Sequence, residues 1–254
     1  MTDENVVLTD ALVQWGDDAL ILGQRIAEWC GHGPVLEEDI ALTNISLDLI
    51  GQARNWLTAA GKRMTPELSE DDLAYFRTAR AFRNHKLMEL PNGDFGDTIC
   101  RIFLWSQFSL LRSEALLNQS ADEEVRGIAA KAVKEVKYHL AHAAEWMVRL
   151  GDGTDESHRR IQASLDRLMP YTGEFFVASE TDQAAIATGC LPSLDVFSAP
   201  WKEGVQAVLG AAHLVWPSGP AHHVGGKSGL HTEHLGYILA EMQSLARTHP
   251  GATW

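Results

Sequence analysis

Several scarcities bound what this chain can do. No apolar run approaches the roughly 18 to 20 residues of a membrane span, so no membrane insertion is expected. Cysteine is nearly absent. Cys30, Cys100 and Cys190 are the three in 254 residues, they form no CxxC pair, and any disulfide scheme leaves one over. A reducing cytoplasm is the expected compartment. Basic residues are few: 21 Lys and Arg face 34 acids, for a formal net charge of −13. A chain of that sign repels a phosphate backbone, which argues against nucleic-acid binding. The opening residues, MTDENVVLTD, carry neither the basic segment nor the apolar stretch of a secretory signal. Convincing strand runs, repeats, low-complexity tracts and domain linkers are all missing, as are a Walker-type loop and a Gly-x-Ser-x-Gly elbow. One surplus stands against these lacks. Eleven histidines beside the acid excess are raw material for a carboxylate-bridged metal site.

The apolar pattern is helical. Leu8, Leu12, Trp15, Ala19, Leu22, Ile26 and Trp29 draw one stripe down a first helix, which Gly31, Gly33 and Pro34 end. A second long helix is predicted from Leu36 to Ala60, with Glu37, Glu38 and Asp39 at its positive end. A short helix is predicted near Glu70–Arg80, then long ones over Asp94–Asn118 and Asp122–Leu150. Thr154 is the predicted N-cap of a fifth, which Pro170 interrupts, and further helical stretches lie near Lys202–Leu214 and Thr232–Thr248. Short connections make the long helices two antiparallel pairs. The predicted fold is all-α: a single domain over 1–254, a ferritin-like four-helix bundle with additional packed helices.

A di-iron centre in such a bundle takes a Glu from one helix of each pair and a Glu-x-x-His from the other. No Glu-x-x-His occurs here. Asp155 and His158 have a related spacing, but they fall in the first turn of the fifth helix, where a capping acid and a surface His are expected. With the first turn centred near residue 33, Asp18 and Asp48 sit at similar heights and are expected to face each other. Three residues after Asp48 stands Gly51, where a His is wanted. On the fourth helix Glu135, His139, His142 and Trp146 share a stripe, with His139 in the place of a Glu. Opposite them the third helix offers Cys100, Arg101 and Ile102. At least three of the six ligand positions therefore hold another residue. Asp18, Asp48, Glu135, His139 and His142 are the candidates for a degenerate site. Either they bind metal, or they form a buried polar network in which Arg101, Lys131 or Lys134 supplies the positive charge. Gly225–Gly229 has only the last residues of a phosphate loop. His231, Thr232, Glu233 and His234 read as a helix start capped by Thr232, or less simply as metal donors, with His222 and His223 nearby. Trp201 and Trp216 are candidates for partner contact or for the core.

Longer motifs support a resemblance. Glu28-Trp29-Cys30-Gly31-His32, the run Leu47–Arg54, Pro91–Phe95, Lys134-Glu135 with Tyr138-His139-Leu140, Leu150–Thr154, and above all Gly225–Gly236 with Leu239–Gln243, Pro250-Gly251 and Trp254 are similar to the PaaC family, the C subunit of phenylacetyl-CoA 1,2-epoxidases. The resemblance spans essentially the whole chain. It implies a ferritin-like, non-catalytic structural subunit of a cytoplasmic multicomponent monooxygenase that epoxidises the ring of phenylacetyl-CoA. It implies no cofactor in this chain, a di-iron site in the partner catalytic subunit, and NADPH, flavin and an iron–sulfur centre in the reductase subunit. It also implies that the turn after the second long helix approaches the bound acyl-CoA at the junction with the catalytic subunit. Here that turn is Phe82-Arg83-Asn84; Phe82 and Asn84 match the family pattern and Arg83 is this chain's own, well suited to a CoA phosphate. The alternatives are an autonomous di-iron oxidase with unusual ligands, and a helical acyl-CoA-binding or regulatory homodimer without chemistry. A homodimer is also one state open to the chain when it is alone.

Overall fold

A computed structural model describes residues 3–219 and 223–252. His222 and Trp254, both singled out in the sequence, lie outside the described residues. Every regular element described is helical, and none is long and apolar enough to cross a membrane. By internal contacts the chain divides into two compact units. Among the described residues, unit one holds 3–91, 179–188 and 225–252, and unit two holds 92–178, 189–219 and 223–224.

Unit one is built on α1 (Asp3–Ala27) and α2 (Leu36–Gly61). The pair is antiparallel: Trp15 packs edge-on against Trp56 at 5.4 Å, Gly16 lies against Leu57, and Ser46 Oγ donates to the Gly23 carbonyl at 2.9 Å. The glycines permit this closeness, since a Cβ on Gly16 would stand 2.7 Å from Leu57 Cδ2. α1 is buried on all sides from Ala11 to Leu22. The same unit holds α3 (Glu70–Tyr75) and the short α4 (Lys86–Glu89). It also holds α8 (Glu180–Ala187) and α10 (Glu233–Thr248), numbered in chain order with the helices of unit two below. The predicted Glu70–Arg80 helix is split. α3 stops at Tyr75 and a separate 3₁₀ turn covers Ala79–Ala81. Gln243 and Arg247 of α10 donate to the Ala74, Tyr75 and Arg77 carbonyls and so supply partners for the orphan acceptors of that helix end.

Unit two pairs α5 (Phe95–Gln119) with α6 (Glu123–Gly151), as Phe95–Trp146 at one end and Glu114–Lys137 at the other show. Asp94 and Asp97 form a capping box at the start of α5, and Asp122 caps α6. Thr154 caps α7 (Asp155–Leu168) as the sequence predicts; a 3₁₀ segment, Met169–Phe176, takes over at Pro170. α9 (Ser198–Ala211) lays Trp201 into an aromatic cluster with Phe175 and Phe176, and its indole donates to the Leu104 carbonyl at 3.1 Å. Trp201 is thus core, while half-buried Trp216 packs edge-on against it.

Candidate functional site

The metal candidates do not form a donor set. The register of α1 on α2 puts Asp18 level with the Ala53–Asn55 turn, and Asp48 level with Gln24 and Arg25, so the expected Asp18–Asp48 pairing fails. The reason lies in the connection. Residues 28–35 are successive tight turns, with Trp29, Cys30 and His32 donating to Ile26, Ala27 and Trp29. They climb beside α2 instead of reversing at once, and the Gly33 N–H reaches Asp39 at 2.9 Å. The N-terminal turns of α2 therefore project past the end of α1. Asp18, fully buried, accepts from both the backbone N–H and Nδ1 of His85 at 2.8 Å. On α6, Glu135 lies 3.5 Å from Lys131, and His139 and His142 stand beside Tyr138. Among the described residues, no group of three or more His, Cys, Asp or Glu is placed to hold a metal ion. These residues do not fit a di-iron group.

Of the cations the sequence suggested, Lys131 does reach Glu135, but the most deeply buried acids are satisfied by others. Lys131 is exposed, and Arg101 donates to Asn92. The dense polar network lies in unit one, around the segment 77–89. Asp17, with no exposed surface, holds both terminal nitrogens of Arg77 and accepts from the Arg83 N–H at 2.8 Å. Burial raises the Asp17 carboxyl above the usual range, with the Arg77 guanidinium pulling the other way. Two consecutive acids of α1 thus grip the backbone on either side of Asn84.

The turn is backed from the other side by the C-terminal segment. His231 places Nδ1 2.8 Å from Glu89 Oε2 and Nε2 3.0 Å from the Phe82 carbonyl, and the Thr232 N–H donates to the same carboxylate. Both ring nitrogens face acceptors, so His231 and Thr232 serve as a clamp and a cap, not as metal donors. The Gly225–Gly229 run is a backing plate, not a phosphate loop. A Cβ at Gly226 would come within 2.3 Å of the Asn84 carbonyl, and Gly229, at φ +77°, lies against the Arg80 carbonyl. Lys227 turns inward to Asp182 of α8 at 2.6 Å, and Asp182 also accepts from Gln14 and Ser179. Burial alone would raise Asp182. The Lys227 ammonium and these hydrogen bonds outweigh it and hold the carboxyl below the usual range.

The three turn residues consequently differ in access. Phe82 and Asn84 have no exposed surface; Phe82 lies under the Arg77 guanidinium at 4.2 Å, and Asn84 Nδ2 donates to Glu89 at 3.0 Å. Arg83 is half-buried and lines a cleft of about 480 Å³ with Asp10, Arg77, Glu180, Lys227 and Ser228. Its Nη1 donates to the Arg80 and Phe82 carbonyls, while among the described residues its Nε and Nη2 meet no acceptor. It also draws down the carboxyl of Asp10, whose burial acts the opposite way and leaves it raised. Arg77 and Lys227 are neutralised by Asp17 and Asp182, so Arg83 is, among the described residues, the cation of this cleft with donors to spare. Sequence reasoning missed Asp17, Arg77, Glu89, Asp182 and Lys227. One available signal was the pair Asp17-Asp18 in the middle of a helix with a second stripe at helical spacing, Ala11, Gln14, Asp18, Ile21 and Arg25, beside the apolar one.

Two comparisons bear on this arrangement. The family model described as "Phenylacetic acid catabolic protein" matches residues 1–254. The chain is 44% identical over 247 residues to the Escherichia coli (strain K12) protein named as the C subunit of 1,2-phenylacetyl-CoA epoxidase, covering 97% of this chain and 99% of that one.

Proposed function

The chain belongs to the phenylacetic acid catabolic protein family, and on that footing we propose that it is the structural, non-catalytic subunit of a phenylacetyl-CoA 1,2-epoxidase complex. The observation that carries the proposal is identity of 44% across nearly the full length of both chains to a protein named as the C subunit of that epoxidase. It favours a role within a complex over an autonomous di-iron oxidase or a regulatory homodimer. The donor chemistry agrees: the buried acids of unit one are used by Arg77, His85, His231 and Lys227.

The complex is cytoplasmic, and oxygen chemistry belongs to the di-iron catalytic subunit, supplied with electrons from NADPH through a reductase subunit that holds flavin and an iron–sulfur centre. This chain contributes a single ferritin-like domain over 1–254 and one cation at the junction. Arg83 donates Nε–H and Nη2–H to a phosphate of the bound acyl-CoA. Asp17 fixes its backbone and Asp18 that of His85, and Phe82 and Asn84 act as buried supports of the turn. Such a charge-assisted contact on a remote part of the substrate helps place the aryl group without taking part in the reaction.

Co-expression with a candidate catalytic subunit tests the reading. Co-purification is expected, with epoxidation of phenylacetyl-CoA that depends on both chains. The Arg83→Ala variant should raise KM for the acyl-CoA about tenfold with kcat little changed, from the loss of both charge-assisted hydrogen bonds at a partly solvated contact. No co-purification, together with full activity without this chain, would sink it.

A further inference from the structure

α2 carries a second apolar stripe whose Leu36, Ile40 and Leu47 stand exposed, while its last member, Ile50, packs against Gly23 of α1. Ala41, Leu42, Ile45, Leu49, Ala53 and Trp56 form the buried face of α2. On the outward face stand Leu36, Ile40, Thr43, Leu47 and Ile50, alternating by four and three residues, the spacing of a coiled-coil seam. Leu36, Ile40 and Leu47 are 71, 52 and 61% exposed. The other exposed apolar residues form no such row: Val196 and Val215 stand singly, and Tyr237 and Leu245 are two turns apart on α10, which needs no explanation in a protein surface. A row of large aliphatic side chains along one helix does. The seam begins on the turns of α2 that project past the end of α1, with the 28–35 connection packed beside them at Asp39.

Charge decides what lies there. Glu37 and Asp48 border the seam on one side and Asp39 on the other, and α2 carries no Lys or Arg before Arg54, which pairs with Glu70. A second copy of this chain, itself at −13, would set acidic edge against acidic edge. We propose that the seam takes one helix of the catalytic subunit, with apolar residues at the matching positions and Lys or Arg along its edges. The inference rests on the subunit reading above and adds the surface and the chemistry of its partner.

The test uses the full-length chain co-expressed with the catalytic subunit. Ile40→Asp/Leu47→Asp alters only exposed side chains, so the isolated variant should keep the wild-type helical content and melting temperature. Its affinity for the catalytic subunit should fall on the order of 100-fold, as for two anchors of a desolvated interface. Glu37→Lys/Asp48→Lys should weaken binding by about tenfold and flatten its dependence on salt. A wild-type complex that forms equally well with Ile40→Asp/Leu47→Asp overturns the inference and leaves the subunit reading standing. So does a wild-type chain that is a dimer alone and that this double variant makes monomeric. A wild-type chain that never joins its catalytic partner defeats the subunit reading, and this one with it.

Discussion

Two short segments are each laid along a long helix, and they are held there by opposite means. In unit one, residues 77–89 are bound to α1 through Asp17 and Asp18, which take up Arg77, the Arg83 N–H and His85. In unit two, Met169–Phe176 is bound to α5 through rings. Phe175 stacks on Phe108 at 4.8 Å and meets Trp105 and Trp201 edge-on, and the Arg112 guanidinium covers Trp105 at 5.1 Å. The difference is one of what each segment must do. The apolar burial that dominates ring packing is non-directional and tolerates small shifts. Hydrogen bonds to named backbone groups fix a turn in position, and the polar segment is the one that presents Arg83 to a cleft.

Mutation can break this contrast. Asp17→Ala leaves the Arg77 guanidinium buried without its partner and the Arg83 N–H without an acceptor. A loss of about 3–5 kcal/mol in urea unfolding is expected. Phe175→Ala empties the centre of the aromatic cluster and should cost a similar 3–5 kcal/mol or so. A loss under about 1 kcal/mol at Asp17 would mean that the polar segment is held by something else.

Size alone does not separate the two regions; pH does. The Asp182 carboxyl is held below its ordinary value of 3.8 in the folded chain. Its contribution is therefore present in full above the unfolded pKa and is lost as pH falls through the folded one. The stability gap between wild type and Asp182→Asn should be largest near neutrality and close as pH drops below about 4. Asp17, raised by burial, has the opposite sign and works against this slope. The gap between wild type and Phe175→Ala should not change with pH over the same range. A pH-independent Asp182→Asn gap would contradict the assignment of Lys227 as its partner.

The smallest effect is expected on the surface. Arg160 reaches Glu156 and Asp94 with more than half of its side chain exposed. Arg160→Ala should leave the urea midpoint nearly unchanged, and any difference should shrink in high salt.

What the sequence made legible follows the range of the interactions. Helix periodicity and caps are local, so the long helices and the caps at Thr154 and Thr232 are found within a few residues. The contacts that make the site are not local. Asp182 meets Gln14 and Lys227, and Glu89 meets His231, across distances in sequence that no window spans. α8 escapes local reasoning for the same cause, since its packing in unit one is fixed by Asp182 more than by any apolar stripe. The Asp18–Asp48 expectation failed through the excursion of residues 28–35, which shifts the register of α1 on α2 by more than a helical turn. The motif match at Gly225–Gly236 pointed to the right segment, but its glycines and histidine proved to support the 82–84 turn.

The central claim is that this chain lends structure, and one cation, to chemistry done by a partner. Iron content is its most direct test. After anaerobic loading and desalting, the isolated chain is expected to retain essentially no iron, and the complex only what its catalytic partner holds. Retention of roughly two irons per isolated chain, the stoichiometry of a carboxylate-bridged centre, would contradict it.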